Sequence, residues 1–177
     1  MTSNTTLWFG HMNPQKPEFL ESDYKQEEVV TFEVSQKIFS VGYELEELDD
    51  KSDPEAAKEA YRNNDDYPAN RPSVPWLIDR VEIGDMIVVT PFGKDAKIRL
   101  LGKVSSDWKY RDDGLWVDLD TFNYVEVEDW VIITKEELPD YLEEYSARST
   151  IQPCRKIEDK PEDMEELEEL YKSRKRL

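Results

Sequence analysis

The feature that most constrains this fold is a dense apolar run behind a Gly-Asp turn, in the segment VEIGDMIVVT at residues 81–90. A short continuous run of this kind is typical of a buried strand, here expected from Met86 to Thr90. The turn PFGKDA and a second strand-like run, KIRLLGKV at residues 97–104, follow at once. We therefore expect an antiparallel hairpin at the centre of a rigid β core.

Other segments with strand character surround this hairpin. TLWFGHM at residues 6–12 reads as a short strand, and TFNYVEVEDWVII at residues 121–133 alternates before ending in an apolar run. Residues 29–43 are rich in β-branched and aromatic residues, so we expect β structure along this stretch, with Gly42 marking a bulge or a close backbone approach. IQPC, near residue 152, is expected to be a closing strand or a link.

Helix signals are local and clear. Asp53 as a cap and Pro54 in the first turn predict a helix that ends near Asn63. Ser73 and Pro75 predict a second, short helix that carries Trp76. Two further predictions are a capping box of Thr134 with Glu137 before a pair of short helices, and a C-terminal acidic amphipathic helix with Met164, Leu167, Leu170 and Tyr171 on one side.

The composition of the chain limits the classes of partner that the protein could bind. The net charge is −18, which argues against broad non-specific binding to nucleic acid and against anionic membrane surfaces. No apolar run approaches the about 20 residues that a membrane span needs, and the N-terminal sequence lacks signal-peptide character. With a single cysteine, Cys154, no disulfide forms within the chain, so we expect a cytoplasmic protein. Salt adaptation or solubility with an acidic tail would each explain the acidity, and frequent lysines at residues 94–109 favour the second.

Four segments, in this order, resemble the PUA-like superfamily, in particular its EVE-like branch. They are IFSVGY at 38–43, IGDMIVV at 83–89, LLGKVSSDWKY at 100–110 and VEVEDW at 125–130. The resemblance covers roughly residues 6–157. It implies an α+β fold, a mixed PUA-like β-barrel with flanking helices. Relatives in this branch include reader domains of modification-dependent restriction systems, and the YTH readers of methylated RNA adenine have a similar barrel.

The resemblance also predicts a domain organisation. Residues 1–157 would form the domain, with an acidic helical insertion at about 44–80, and residues 158–177 would add the acidic C-terminal helix. Two positions depart from the family pattern: Tyr43 stands where Trp is common, and Tyr124 replaces the usual Arg.

As implied by the resemblance, the protein is a non-catalytic module that holds a base or nucleotide of DNA or RNA, above all a modified one, in an aromatic pocket. Stacking on aromatic rings and hydrogen bonds to the base edge would recognise the ligand. Ser40 and the backbone beside Gly42 would read the edge. The expected aromatic lining consists of Trp8, Tyr43, Trp76, Trp108 and Tyr110. The alternative for each ring is plain core packing.

A cluster of positive charge interrupts the acidic chain. Residues 94–111 hold six cations against two carboxylates, so they are candidates for contact with a nucleic-acid backbone. These candidates are Lys97, Arg99, Lys103, Lys109 and Arg111, together with Lys94. The alternative is that they balance neighbouring acids in ordinary surface pairs.

Two other classes of function remain in view. An acidic interaction protein would use its surface charge to bind a basic protein partner or to mimic nucleic acid. An enzyme is disfavoured, because no phosphate loop, nucleophile elbow or zinc-ligand spacing occurs. His11 has no second His beside it and is expected to be structural, and Cys154 is expected to be a buried small residue. We therefore expect no metal and no cofactor.

Overall fold

The structure, a computed structural model, describes residues 5–12, 26–42, 52–63, 73–93, 95–144 and 151–175. These residues form an α+β fold in which a curled mixed sheet, a half-barrel, is flanked by a few helices. The strands are β1 Leu7–Gly10, β2 Ile38–Val41, β3 Met86–Val89, β4 Ile98–Val104, β5 Lys109–Tyr110, β6 Asn123–Thr134 and β7 Ile151–Pro153. The helices are α1 Gln26–Gln36, α2 Pro54–Asn63, α3 Ser73–Asp79, α4 Leu115–Asp118 and α5 Pro161–Lys175.

The sheet is built around the hairpin predicted from the sequence. The strand order is β2-β6-β4-β3-β1-β7, and β5 pairs with β6 on the edge opposite β2, since both strands pair with Asn123 and Tyr124. Strands β3 and β4 are antiparallel, with Val88 opposite Leu101, which confirms the hairpin. Strand β1 runs parallel to β3, with Trp8 opposite Ile87. The long strand β6 confirms the prediction for residues 121–133, and its pairing with both β4 and β2 carries the sheet around its curve.

The helix predictions for residues 53–63 and 73–79 are confirmed. Asp53 Oδ1 accepts hydrogen bonds from the backbone N–H groups of Glu55, at 3.0 Å, and Ala56, at 3.3 Å. This is the N-cap interaction that the sequence predicted, and it satisfies donors that a helix start leaves without partners. The buried side chains of Ala57 and Leu77 then attach α2 and α3 to the interior of the half-barrel.

The β prediction for residues 29–36 is wrong, because this segment is the helix α1. Its buried side chains, Val29, Val30, Phe32 and Glu33, recur at helical spacing and lie on one side of the helix. Strand propensity depends on context, and here packing against the sheet overrides the β-branched composition. Lys37, with a φ of 54°, ends the helix and lets the chain return as β2, so only residues 38–41 form the strand that was expected.

The Trp130 side chain lies in the interior of the half-barrel and crosses it. Its ring lies over Gly102, where an added Cβ would come within 2.8 Å of the ring. Its indole N–H donates to the Ile38 carbonyl oxygen at 3.1 Å. The side chain therefore runs from β6 past β4 to β2, and the missing side chain at Gly102 makes room for it.

The outer face of the sheet is covered by α5. Met164, Leu167 and Tyr171 are buried there, and Leu170 is partly buried, so the predicted apolar side of this helix docks on the domain. Arg174 pairs with Glu137, and Lys175 Nζ lies 2.8 Å from Glu128 Oε2.

The capping box of Thr134 with Glu137 is confirmed, and it starts a short 3₁₀ helix, Lys135–Glu137. A second 3₁₀ helix, Asp140–Glu144, follows, so the predicted helix pair forms with 3₁₀ geometry. Glu137 thus serves two elements, because the same carboxylate caps the short helix and holds the last turn of α5.

One buried carboxylate ties β1 to the Gly-Asp turn. Asp85 Oδ1 accepts the Thr6 backbone N–H at 3.0 Å, and Asp85 Oδ2 accepts the Trp8 indole N–H at 2.9 Å. The backbone N–H of Glu82 also donates to Oδ2, at 2.9 Å, which closes the turn on itself. Gly84, with a φ of 97°, supplies the left-handed conformation that this turn requires. The turn therefore fixes the strand that it precedes and the parallel neighbour of that strand.

The substitution Asp85→Asn should destabilise the protein by about 3 kcal/mol, because an amide group cannot accept the three hydrogen bonds that converge on this buried carboxylate. The measurement is urea unfolding followed by circular dichroism. Asp95→Asn, at an exposed carboxylate in the β3–β4 turn, is the matched control and should change the unfolding free energy by less than about 0.5 kcal/mol. Equal effects of the two substitutions would contradict this role for Asp85.

Candidate ligand-binding site

Two of the expected pocket aromatics lie in the core. Trp8 and Trp108 are each 2% exposed. Their indole N–H groups already have acceptors: Asp85 Oδ2 for Trp8, and Asn123 Oδ1, at 3.1 Å, for Trp108. Both rings therefore form fixed walls of the interior and offer no face to solvent. Tyr43 lies outside the described residues.

The other two, Trp76 and Tyr110, are only partly buried and pack against the same interior cluster. Trp76, on α3, lies 6.3 Å from the Trp8 ring at an angle of 51°. Tyr110, on β5, lies 6.3 Å from the Trp108 ring and stacks on Phe122 at 6.0 Å. Each of the two rings thus has a buried indole beside it and keeps part of its surface exposed. We call Trp76 and Tyr110 the half-exposed pair.

A polar group of residues lies beside Tyr110, where β2 ends and β6 begins. Asn123 is opposite Tyr110 in the β5–β6 pairing and is fully buried. Its Nδ2 donates to the Gly42 carbonyl oxygen at 2.7 Å, while its Oδ1 accepts the Trp108 indole N–H. The side chain of Asn123 therefore joins β5, β6 and the end of β2. We call Gly42, Asn123 and Asp120 the polar node.

The third member of the polar node, Asp120, confirms the close approach expected at Gly42. Asp120 has a φ of 55°, and its carboxylate lies against Gly42, where an added Cβ would be 2.4 Å from Oδ2. Gly42 was expected from the sequence to lie at the site, whereas Asn123 and Asp120 were not. The interrupted apolar pattern at Gly42 and the polar residue opening an apolar strand, Asn123, are the signals that point to this contact.

Ser40 lies away from the polar node. Because side chains alternate along a strand, Ser40 is on the opposite side of β2 from Phe39 and Val41 and points towards α1. Its backbone N–H and its hydroxyl both donate to Glu33 Oε1, at 2.7 and 2.5 Å. The expected role of Ser40 in reading a ligand edge therefore has no support in its contacts.

Three members of the expected basic group already have acceptors within the protein. Arg99 is buried, and its Nη1 donates to the carbonyl oxygens of Ala96 and Ile98, so it serves the β3–β4 turn. Lys109 Nζ lies 3.0 Å from Glu126 Oε1, and Arg111 Nε lies 2.7 Å from Asp113 Oδ1.

Of the remaining candidate cations, Lys94 lies outside the described residues. Lys103, on β4, lies near Glu128, whose pKa is lowered chiefly by the hydrogen bond from Lys175 and further by the charge of Lys103. Lys97 is exposed just before β4. Lys109 and Arg111 thus pair with neighbouring acids, whereas Lys97 and Lys103 lie before and within β4.

Burial shifts the pKa of both His11 and Cys154. His11 Nδ1 lies 2.9 Å from Thr90 Oγ1, and its buried Nε2 has no hydrogen-bond partner. Burial, with a further contribution from the charge of Arg99, lowers the pKa of His11 to about 4. Burial raises the pKa of the Cys154 thiol far above its usual range, so the reactive thiolate is not formed near neutral pH. Within the described residues, no group of three or more His, Cys, Asp or Glu side chains could hold a metal ion.

No protein-family model, curated protein or solved structure matches this chain. In the described part of the chain, every helix is too short or too polar to cross a membrane. Function is therefore inferred from the geometry of the residues and from the resemblance seen in the sequence.

The substitution Gly42→Ala should destabilise the protein by about 2 kcal/mol, because the new methyl group would overlap the Asp120 carboxylate. The measurement is the midpoint of urea unfolding for this variant and for the double variant with Asp120→Gly. Removing the carboxylate should recover most of the loss, since glycine also suits the positive φ at position 120. A loss of the same size in the double variant would contradict the contact.

Acid should destabilise the protein in part through His11. Its pKa in the folded state, about 4, is below its ordinary value of 6.5, so the unfolded chain takes up the proton more readily. Stability is therefore lost as pH falls from 6.5 towards 4. In thermal unfolding scans, His11→Asn should reduce this loss by about 2 kcal/mol, while carboxylate contributions affect both proteins equally. Parallel curves for the two proteins would show that His11 is not responsible.

Proposed function

We propose that this protein is a non-catalytic binding module that holds one planar ligand, a modified base or nucleotide of DNA or RNA, against Trp76 and Tyr110. The observation that carries the proposal is the half-exposed pair. Both rings pack on the interior cluster of a single curled sheet, and each lies beside a buried indole. Such rings are held in place before any ligand arrives, which reduces the entropy lost on binding.

The ligand class follows from the chemistry of these groups. Aromatic side chains stack on bases with about 1–3 kcal/mol per base, independently of base identity. Discrimination then requires polar groups at the edge of the ligand. The backbone beside Gly42 and the Asp120 carboxylate lie on the other side of Asn123 from Tyr110 and are the groups that we assign to this task.

The resemblance to the PUA-like superfamily, and to its EVE-like branch, supports the same proposal. A curled mixed sheet with flanking helices is compatible with that fold at a coarse level. The resemblance implies recognition of a modified base, in a setting such as defence against foreign nucleic acid. In this proposal the protein works in the cytoplasm and needs no cofactor.

Charge shapes the proposed mode of binding. The ion pairs of Lys109 with Glu126 and of Arg111 with Asp113 would have to open before either cation could hold a phosphate. A net charge of −18 also repels a polyanion at long range. We therefore assign recognition to the base itself, with few phosphate contacts and a shallow dependence of affinity on salt.

A second candidate function is binding of a basic protein through the acidic surface. The solvent side of α5 supports it, since Glu162, Glu165, Glu166 and Glu169 are exposed. The cations Arg174 and Lys175 of the same helix instead pair with Glu137 and Glu128 on the domain. The helix thus presents mostly negative charge to a partner.

The substitutions Trp76→Ala and Tyr110→Ala should each weaken binding of the preferred nucleoside by about tenfold or more, because each removes a stacking surface. The assay is quenching of tryptophan fluorescence by a panel of normal and modified nucleosides and short oligonucleotides. Tyr110→Ala keeps all five tryptophans as reporters, and calorimetry serves for Trp76→Ala. The control is Phe92→Ala, at an exposed ring in the β3–β4 turn, and it should bind normally.

Silence across the whole panel at low salt would reject the base-binding proposal. Tight, salt-sensitive binding of a lysine-rich peptide, abolished by charge-neutralising changes at Glu165 and Glu169, would then favour the second candidate function.

A further inference from the structure

The outer edge of β2 is closed by side chains instead of by another strand. Among the described strands, β2 is the last in the sheet order and pairs only with β6. The Ile38 carbonyl oxygen accepts the Trp130 indole N–H, and the Ser40 backbone N–H donates to Glu33 Oε1. Glu33, on α1, therefore provides Ser40 with the acceptor that a neighbouring strand would otherwise offer. Ser40 lies shortly before Gly42 and the proposed ligand site.

Within the part of the chain that the structure describes, no opposite charge compensates the Glu33 carboxyl group. The side chain is 1% exposed, Oε1 accepts both of its hydrogen bonds from Ser40, and the buried Oε2 has no partner. On the elements packed against α1, the titratable groups are Tyr124 on β6, Asp118 and Asp120 at the end of α4, and Lys37 in the turn before β2. On α1 itself, Glu27 and Glu28 are exposed.

The one cation among these groups, Lys37, is exposed and pairs with Asp129 at 3.7 Å. Among the described residues an ionised Glu33 would therefore be a buried charge without a counter-ion, which is costly, whereas the neutral acid is compatible with the site.

We propose that Glu33 is a positioning residue that holds the site end of β2 as a neutral acid, and that loss of its proton releases this strand edge from α1. The part that concerns the ligand rests on the proposed function, whereas the part that concerns the strand does not. Release would displace Ser40 first and then the backbone at Gly42, which the polar node otherwise keeps in place.

The direction of the pH effect follows from burial, which raises the pKa of Glu33 well above its ordinary value of 4.5, against the two hydrogen bonds from Ser40 that lower it. The unfolded chain ionises this group near its ordinary value, while the folded chain keeps the proton. Stability is therefore lost as pH rises from that value through the folded pKa. Above the folded pKa the loss is complete and levels off.

The test compares thermal unfolding of wild type, Glu33→Gln and Glu27→Gln from about pH 4 to about pH 9, a range that begins near the ordinary pKa of a glutamate. Glutamine keeps an acceptor for Ser40 and cannot ionise, so the midpoint of Glu33→Gln should rise relative to wild type as pH increases. Glu27→Gln, at an exposed position of the same helix, should follow wild type throughout. Parallel curves for wild type and Glu33→Gln would overturn the proposal.

A measurement on the unmodified protein covers the case in which Glu33→Gln does not fold. Carbon-13 NMR of the glutamate carboxyl groups, followed as pH rises, should show one group that loses its proton at a higher pH than the others, because burial raises the pKa of folded Glu33. If all glutamate carboxyl groups of the folded protein lose their protons together near the ordinary value, the proposal is overturned.

The ligand arm uses the nucleoside chosen by the fluorescence panel. Its affinity should fall with rising pH in wild type and stay level in Glu33→Gln. If ligand binding depends on pH equally in both proteins while their stabilities still differ, only the link between Glu33 and the ligand site is overturned. The role of Glu33 in holding β2 would stand. Absence of any binding would count against the proposed function and leave the stability result to decide the role of Glu33.

Discussion

The carboxylate of Asp85 is the constraint on which the rest of the structure depends. It accepts hydrogen bonds from Thr6, Trp8 and Glu82, and so joins the start of β1 to the turn before β3. Parallel strands have no tight turn between them, and here a long stretch of chain separates β1 from β3. A buried acceptor for three donors fixes the register that such a long connection leaves open. In this acidic protein, the Gly-Asp turn therefore places one carboxylate inside the core, where three N–H groups need an acceptor.

Side-chain hydrogen bonds also hold the backbone of β2, on the other side of the sheet. β2 is short and lies at an edge, and side chains supply the hydrogen bonds that a neighbouring strand would have made. Trp130 bonds Ile38, Glu33 bonds Ser40, and Asn123 bonds Gly42. These three contacts come from β6 and α1. Because they end at Gly42, they hold the backbone across Asn123 from Tyr110 in place, and this is why we assign ligand recognition to this end of the sheet.

Local signals allowed a good part of the fold to be predicted. The β3–β4 hairpin, the Asp53 cap, the capping box at Thr134 and the amphipathic α5 each depend on residues close in sequence. α1 was missed because its β-branched residues favour a strand, and only packing on the sheet makes it a helix. The burial of Trp108 and Arg99 was hidden by their charged neighbours in sequence. The roles of Asn123, Asp120 and Glu33 depend on partners far along the chain, which no local pattern reveals.

The central claim is that a planar ligand meets the half-exposed pair and leaves the buried indoles in place. Titration of the nitrogen-15-labelled protein with modified nucleosides, followed through the tryptophan indole signals in NMR spectra, tests it most directly. The account predicts that the Trp76 signal shifts most. The signals of Trp8, Trp108 and Trp130 should move little, because Asp85, Asn123 and Ile38 hold their N–H groups. Shifts confined to the backbone of α5, or equal shifts of all indoles, would contradict the account.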